Sequence, residues 1–143
     1  MAKKFRGKKV RVGFIGSGGI ARHHMGLLAK FDDVEIVAAS DVSEPALKMV
    51  EEQFGIKKTF TDYKEMLKDV KLDAIDVCTP NYLHAQPSID ALNDGLTVIV
   101  EKPMAMNAKE AQAMVDAAKK NDQLLVIGFQ YRYSTEAQAI KRY

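Results

Sequence analysis

The chain has a single cysteine, Cys78, among its 143 residues, which excludes a disulfide framework. Its place in the apolar run Ala74-Ile75-Asp76-Val77-Cys78 predicts a buried, unreactive thiol. Long apolar runs are also lacking: none reaches the length of a bilayer span. The basic N-terminus leads into a strand and a glycine turn instead of the apolar core of a signal peptide, so a cytoplasmic protein is expected. Charge of one sign is lacking too, with 21 Lys and Arg against 19 Asp and Glu and a net charge of +2. No global field therefore draws the chain onto nucleic acid or a membrane. Lys3, Lys4, Arg6, Lys8, Lys9 and Arg11 do cluster at the start, but only Phe5 interleaves them, so residues 1–9 read as a solvated basic arm. Internal repeats and low-complexity linkers are missing as well.

What is there fits one globular domain. Hydrophobic residues make up 47% and charged residues 28%, and the length suffices for a sizeable core. Strand and helix signals alternate along the chain, the pattern of a parallel sheet with helices on both faces. Strands are predicted near Val10–Ile15, Glu35–Ser40, Lys58–Thr61, Ala74–Cys78, Thr97–Val100 and Leu124–Ile127. The fold class is therefore α/β, a doubly wound, mainly parallel six-stranded Rossmann-like sheet. Ser43 is placed to cap the second helix, with Pro45 in its first turn and Gly55 ending it. Asp62-x-x-Glu65 and Asn107-x-x-Glu110 resemble capping boxes. Pro87 fits only a first turn, so its helix should start near His84 to Gln86. Ala111, Met114, Val115 and Ala118 are expected on the inner face of the next helix. The final helix, from near Thr135, makes about two turns and is too short to be stable without something to pack on.

The most telling stretch is Val10 to Ala21, an apolar strand running into Gly16-Ser17-Gly18-Gly19-Ile20-Ala21. A diphosphate approaches backbone N–H groups closely only where no Cβ intervenes. Gly16 permits the tight turn, Gly18 the approach, and Ala21 the close packing of the following helix on the strand. Free amides and the positive dipole end at that helix start favour phosphate by roughly 0.3–1 kcal/mol per charge. Asp41, at the end of the second strand, stands where a carboxylate accepts hydrogen bonds from the adenosine ribose and repels a 2′-phosphate. NAD is thus favoured over NADP. The competing reading is that Asp41 merely ends the strand.

Three further segments leave the carboxyl ends of later strands, the edge where open α/β sheets bind ligands. They are Thr79-Pro80-Asn81 with His84, Glu101-Lys102-Pro103, and Gly128-Phe129-Gln130-Tyr131-Arg132-Tyr133. His84 could equally cap its helix, and Arg132 could simply pack between the two tyrosines. His23 and His24 are adjacent, hence about 100° apart on a helix, so a shared metal ion is not expected. They read as helix-surface or cofactor-edge residues, and no metal site is assigned.

Taken in order, these motifs resemble the N-terminal half of the glucose-fructose oxidoreductase, inositol dehydrogenase and rhizopine-catabolism family, Gfo/Idh/MocA, from about Val10 to the last residue. The resemblance implies a nicotinamide-dependent oxidoreductase acting on hydroxyl or carbonyl carbons of sugars, cyclitols and related small molecules. It implies that Gly16 to Ala21, Asp41, Thr79, Pro80, Asn81, His84, Glu101, Lys102 and Arg132 surround the cofactor. Lys102 would be the catalytic lysine, and the Lys102-Pro103 bond is a candidate for cis geometry. A cation there stabilises the alkoxide that forms as a carbinol gives up its proton, and partial burial beside a cationic nicotinamide would help it relay that proton. Family members carry a second α/β domain holding an Asp-x-x-x-His pair, and nothing in these residues replaces it. The expected division is therefore a basic arm at 1–9, a dinucleotide-binding domain at 10–128, and at 129–143 the start of a connection to a missing substrate domain. Such a chain should bind NAD yet be inactive alone. Exposed apolar groups near Phe129, Tyr131, Tyr133 and Ile140 should favour a homo-oligomer. The rival readings are a free-standing dinucleotide sensor and an S-adenosylmethionine methyltransferase, the latter opposed by Glu101-Lys102-Pro103 and by the G-x-G-x-x-A spacing.

Overall fold

The computed structural model describes residues 7–142, so Lys3, Lys4, Phe5 and Arg6 of the expected basic arm lie outside the described residues. The strands are β1 (Val10–Ile15), β2 (Val34–Ser40), β3 (Thr59–Phe60), β4 (Ala74–Val77), β5 (Thr97–Val100) and β6 (Leu125–Ile127). They form one sheet in the order β3-β2-β1-β4-β5-β6, and every pairing is parallel. Order reverses between β1 and β4. A crevice therefore opens beyond their carboxyl ends, where the connections leave in opposite directions.

The helices are α1 (Gly19–Leu28), α2 (Glu44–Phe54), α3 (Tyr63–Asp69), α4 (Ala85–Asn93), α5 (Ala108–Lys120) and α6 (Thr135–Lys141). Ser43 caps α2 by accepting from Ala46 N–H at 3.4 Å, and Gly55 ends it in the left-handed region at φ 68°. Asn107 caps α5 through Glu110 N–H at 3.0 Å. Its box is not reciprocal: the Glu110 carboxylate takes the Met106 N–H and the Asn107 side-chain amide. Asp62 caps α3 one residue earlier than a box would, at Lys64 N–H.

Two apolar cores lie on the two faces of the sheet. Phe14, Met25, Leu47 and Val50 fill the α1–α2 side, and Met66, Leu92, Met114 and Ala117 fill the α3–α5 side. On α5 the fully inward residues are Met114, Ala117 and Ala118, with Ala111 and Val115 only half-buried. A helix turns about 100° per residue, so the buried stripe is rotated by about 60° from the one the sequence pattern suggested. Burial thins toward one edge: β4 is buried at all four positions, whereas Val126 in β6 stays exposed.

Candidate cofactor site

The glycine turn closes over the carboxyl end of β1. Gly16 sits at φ 96°, and a Cβ there would lie 2.6 Å from the Cys78 carbonyl oxygen. Its lack of a side chain is thus required by the neighbouring strand as well as by the turn. Gly18 and Gly19 face open space, with nothing within 4 Å of a built Cβ, so a ligand can come close to their backbone. Ala21 is fully buried against the sheet, the packing role expected of the third position, and Ile20 remains exposed. Ser17 is buried, and its hydroxyl finds no partner among the described residues.

Asp41 does more than end its strand. One carboxylate oxygen accepts from Ser17 N–H at 2.7 Å and the other from Ser43 N–H at 2.9 Å. It thereby bridges the glycine turn to the start of α2, beside a cleft of about 810 Å³ at the carboxyl edge. Gly16, Gly18, Asp41, Thr79 and Pro80 line that cleft together with groups not singled out in the sequence: Val42, Tyr63, Tyr82, Leu83 and Pro87. These side chains share the cleft with Asp41 and give it a largely apolar wall. Only their position at strand ends could have flagged them.

His84, expected to border the cofactor, is not among the groups that line the cleft. His84 is 1% exposed, with Nδ1 2.7 Å from the Pro103 carbonyl oxygen and Nε2 2.9 Å from that of Thr79. Both ring nitrogens are engaged within the protein, so the ring braces the two loops that frame the site instead of lining it. Nor is it a side-chain cap of α4. Asn81 begins a 3-10 turn, Asn81–Leu83, and is exposed.

The Lys102-Pro103 peptide is cis. Lys102 is exposed, so the partial burial expected for it is not supplied by these residues. Glu101 turns the other way. It is 6% exposed; its Oε2 accepts from Lys102 N–H at 3.0 Å, and its Oε1 points into the space left by Gly128, where a Cβ would stand 2.9 Å away. Its side chain is thus a prop beneath the Lys102 turn, not part of the cleft wall. Arg132 lies in the 3-10 turn Gln130–Tyr133, exposed and outside the cleft lining.

His24 also differs from expectation. His23 is exposed, but His24 turns inward, with Nδ1 2.9 Å from Asp76 Oδ2 and Nε2 3.3 Å from Glu101 Oε1. The second contact is an ion pair without hydrogen-bond alignment, which leaves Oε1 with no hydrogen-bond partner among the described residues. The hydrogen bond to Asp76 raises the His24 pKa most; burial opposes it, and the charges of Asp76 and Glu101 add to the rise. Cys78 donates to Asp76 Oδ1 at 3.3 Å, and its thiol is pushed well up, first by burial and then by Asp76. His24, Asp76 and Cys78 offer polar atoms within 4.8 Å of one another. Their mutual bonds and the protonated thiol account for that closeness. The missed signal was Asp76 itself, a lone charge in a central strand that must find a partner once buried.

A parallel sheet in this strand order, a glycine turn leading into a helix, and an acidic residue at the second strand's end define a dinucleotide-binding Rossmann domain. The profile of the oxidoreductase family with the NAD-binding Rossmann fold matches residues 10–129. The chain belongs to this Gfo/Idh/MocA family. It is 32% identical to the myo-inositol 2-dehydrogenase of Thermotoga maritima over 92% of its length and 40% of that enzyme. It is likewise 32% identical to the D-glucoside 3-dehydrogenase of Escherichia coli, over 92% of its length and 38% of that enzyme. Among solved structures, the WlbA dehydrogenase of Bordetella pertussis, in complex with NADH and UDP-GlcNAcA, superposes with a TM-score of 0.90 at 31% identity, covering 95% of this chain and 39% of that one. The chain thus spans about 40% of the length of the relatives it matches.

Proposed function

We propose that this chain is the NAD-binding domain of a dehydrogenase that acts on a hydroxyl carbon of a sugar or cyclitol. The observation that carries the reading is the cleft itself: open backbone at Gly18 and Gly19 on one side of the strand reversal, and Asp41 held at its end by two backbone N–H groups. These residues fit the cofactor. Gly18 and Gly19 at the start of α1 would hold the diphosphate, Asp41 the ribose hydroxyls, and Val42 and Leu83 the adenine faces. When bound, the nicotinamide supplies the two-electron acceptor. The protein's own part is to bring Lys102 to the reacting oxygen, where its ammonium stabilises negative charge and takes part in moving the proton. Thr79 and Pro80 line the cleft, and exposed Lys102 and Arg132 would face whatever closes the site.

The inositol and glucoside dehydrogenases among the relatives support a polyhydroxylated substrate. Because the chain covers about 40% of those enzymes, we read it as competent in binding and incomplete in turnover, with the substrate wall supplied by a second domain. The test is a fluorescence titration with NADH, with NADPH and S-adenosylmethionine in parallel, followed by turnover assays on sugars and cyclitols. NADH should bind at least about tenfold more tightly than NADPH, a difference of roughly 1.4 kcal/mol, and Asp41→Asn should erode it. Equal affinity for the two nucleotides would refute the role given to Asp41. Turnover by this chain alone would refute its incompleteness.

A further inference from the structure

We infer that His24 is a positioning residue: as an imidazolium held between Asp76 and Glu101, it fixes the Glu101 carboxylate and, through the bond from Lys102 N–H, sets the turn that carries Lys102. The inference deepens the reading of Lys102 given above and rests on it for its functional consequence.

The geometry runs without a gap from the helix behind the glycine turn to the lysine. His24 belongs to α1, whose first residues present the backbone of the glycine turn. Its Nδ1 meets Asp76 on β4 at 2.9 Å, and its Nε2 meets Glu101, just past β5, at 3.3 Å. The other Glu101 oxygen takes the Lys102 N–H at 3.0 Å. The groups facing the ring are Asp76, Cys78 and Glu101, with the neighbouring His23 ring 6.3 Å away. The two carboxylates are almost fully buried, and His24 is the cation placed to compensate them. A neutral imidazole carries one N–H, so one of its nitrogens would then turn a lone pair toward a carboxylate oxygen.

Among the described residues Glu101 Oε1 has no aligned hydrogen-bond donor, and it touches the space left open at Gly128. Charge, not a network of donors, therefore holds it in place. Deprotonation of His24 removes that charge and frees Glu101 to leave the Lys102 N–H. One side chain thus couples the start of α1 to the Lys102 turn, and the coupling weakens as pH rises through the His24 titration.

The experiment follows the His24 ring and the Lys102 amide by NMR in the whole chain, from about pH 5.5 to about pH 9, a range that brackets an ordinary histidine near 6.5. We expect one shared midpoint above that of an ordinary histidine. In Glu101→Gln the His24 midpoint should fall and the Lys102 amide should no longer follow it; in His24→Gln the Lys102 amide should not titrate in this range. NADH affinity of the unsubstituted chain should weaken about fivefold across the transition, at the low end of typical coupling between sites, and His24→Gln should abolish that pH dependence. A Lys102 amide that stays flat while His24 titrates overturns the inference, and this needs no variant to fold. Shared NMR midpoints with no NADH binding at any pH would uphold the positioning role and overturn the assignment of the cofactor.

Discussion

The centre of the sheet and its β6 edge are built differently. Around β1 and β4 both faces are covered, Phe14 and Ile75 are fully buried, and His24, Asp76, Cys78 and Glu101 are tied to one another across two strands and a helix. Around β6 only the α5 side is packed: Leu124, Val126 and Phe129 are exposed, and beyond them Tyr131, Tyr133 and Ile140 each stand more than 70% exposed. Cohesion and the candidate cofactor site thus coincide at the centre, while the β6 edge offers apolar surface. The apolar exposure expected near Phe129 is present, and it marks where we propose that a second domain or a second copy sits.

The contrast gives a graded set of tests. Phe14→Ala should cost about 3–5 kcal/mol in urea unfolding, whereas Phe129→Ala at the open end should stay within about 0.5 kcal/mol. Comparable losses would mean that the open end is packed in solution. Gly16→Ala comes next, because the positive φ and the 2.6 Å approach to the Cys78 carbonyl both oppose a side chain. We expect a loss of about 1–3 kcal/mol together with weakened NADH binding, read from chemical denaturation and fluorescence. A Gly16→Ala chain with unchanged midpoint and affinity would contradict the turn geometry.

The pH dependence of stability comes third. The His24 pKa is raised in the folded protein, so its contribution is fully present below its unfolded value and is lost as pH rises through the folded one. Melting temperature should therefore fall from mildly acidic to mildly alkaline pH by a margin that His24→Gln removes. The smallest effect belongs to the open end. Tyr131→Ser with Tyr133→Ser should leave unfolding almost unchanged while lowering the mass seen by light scattering at high concentration. A chain that is monomeric before the substitutions would rule out self-association through this face.

Local chemistry made most of the fold legible. The bounds of β1 and β5, the Ser43 cap, the start of α4 set by Pro87 and the stop at Gly55 each follow from a residue and its near neighbours. The shape of the glycine turn was legible for the same reason, since a tight turn at a strand end is local. What escaped is long-range. His24 meets partners 52 and 77 positions away, and Glu101 looked like a cleft residue only because its neighbour Lys102 does face out. The partners of His84 were out of reach for the same reason, because a histidine leaving a strand end reads the same whether its ring turns toward solvent or, as here, between two carbonyl groups.

Asp41 accepts two backbone N–H bonds without any ligand. Its side chain has therefore already surrendered its rotamer freedom at folding. Immobilising a loose side chain on binding costs about 0.5–1.5 kcal/mol, and Asp41 leaves that cost out of the encounter. In the role proposed for Asp41, a ribose hydroxyl entering the cleft would meet lone pairs that are already aimed. Selectivity at this position is then a property of the resting protein, and it should appear in the rate of association as much as in the lifetime of the complex.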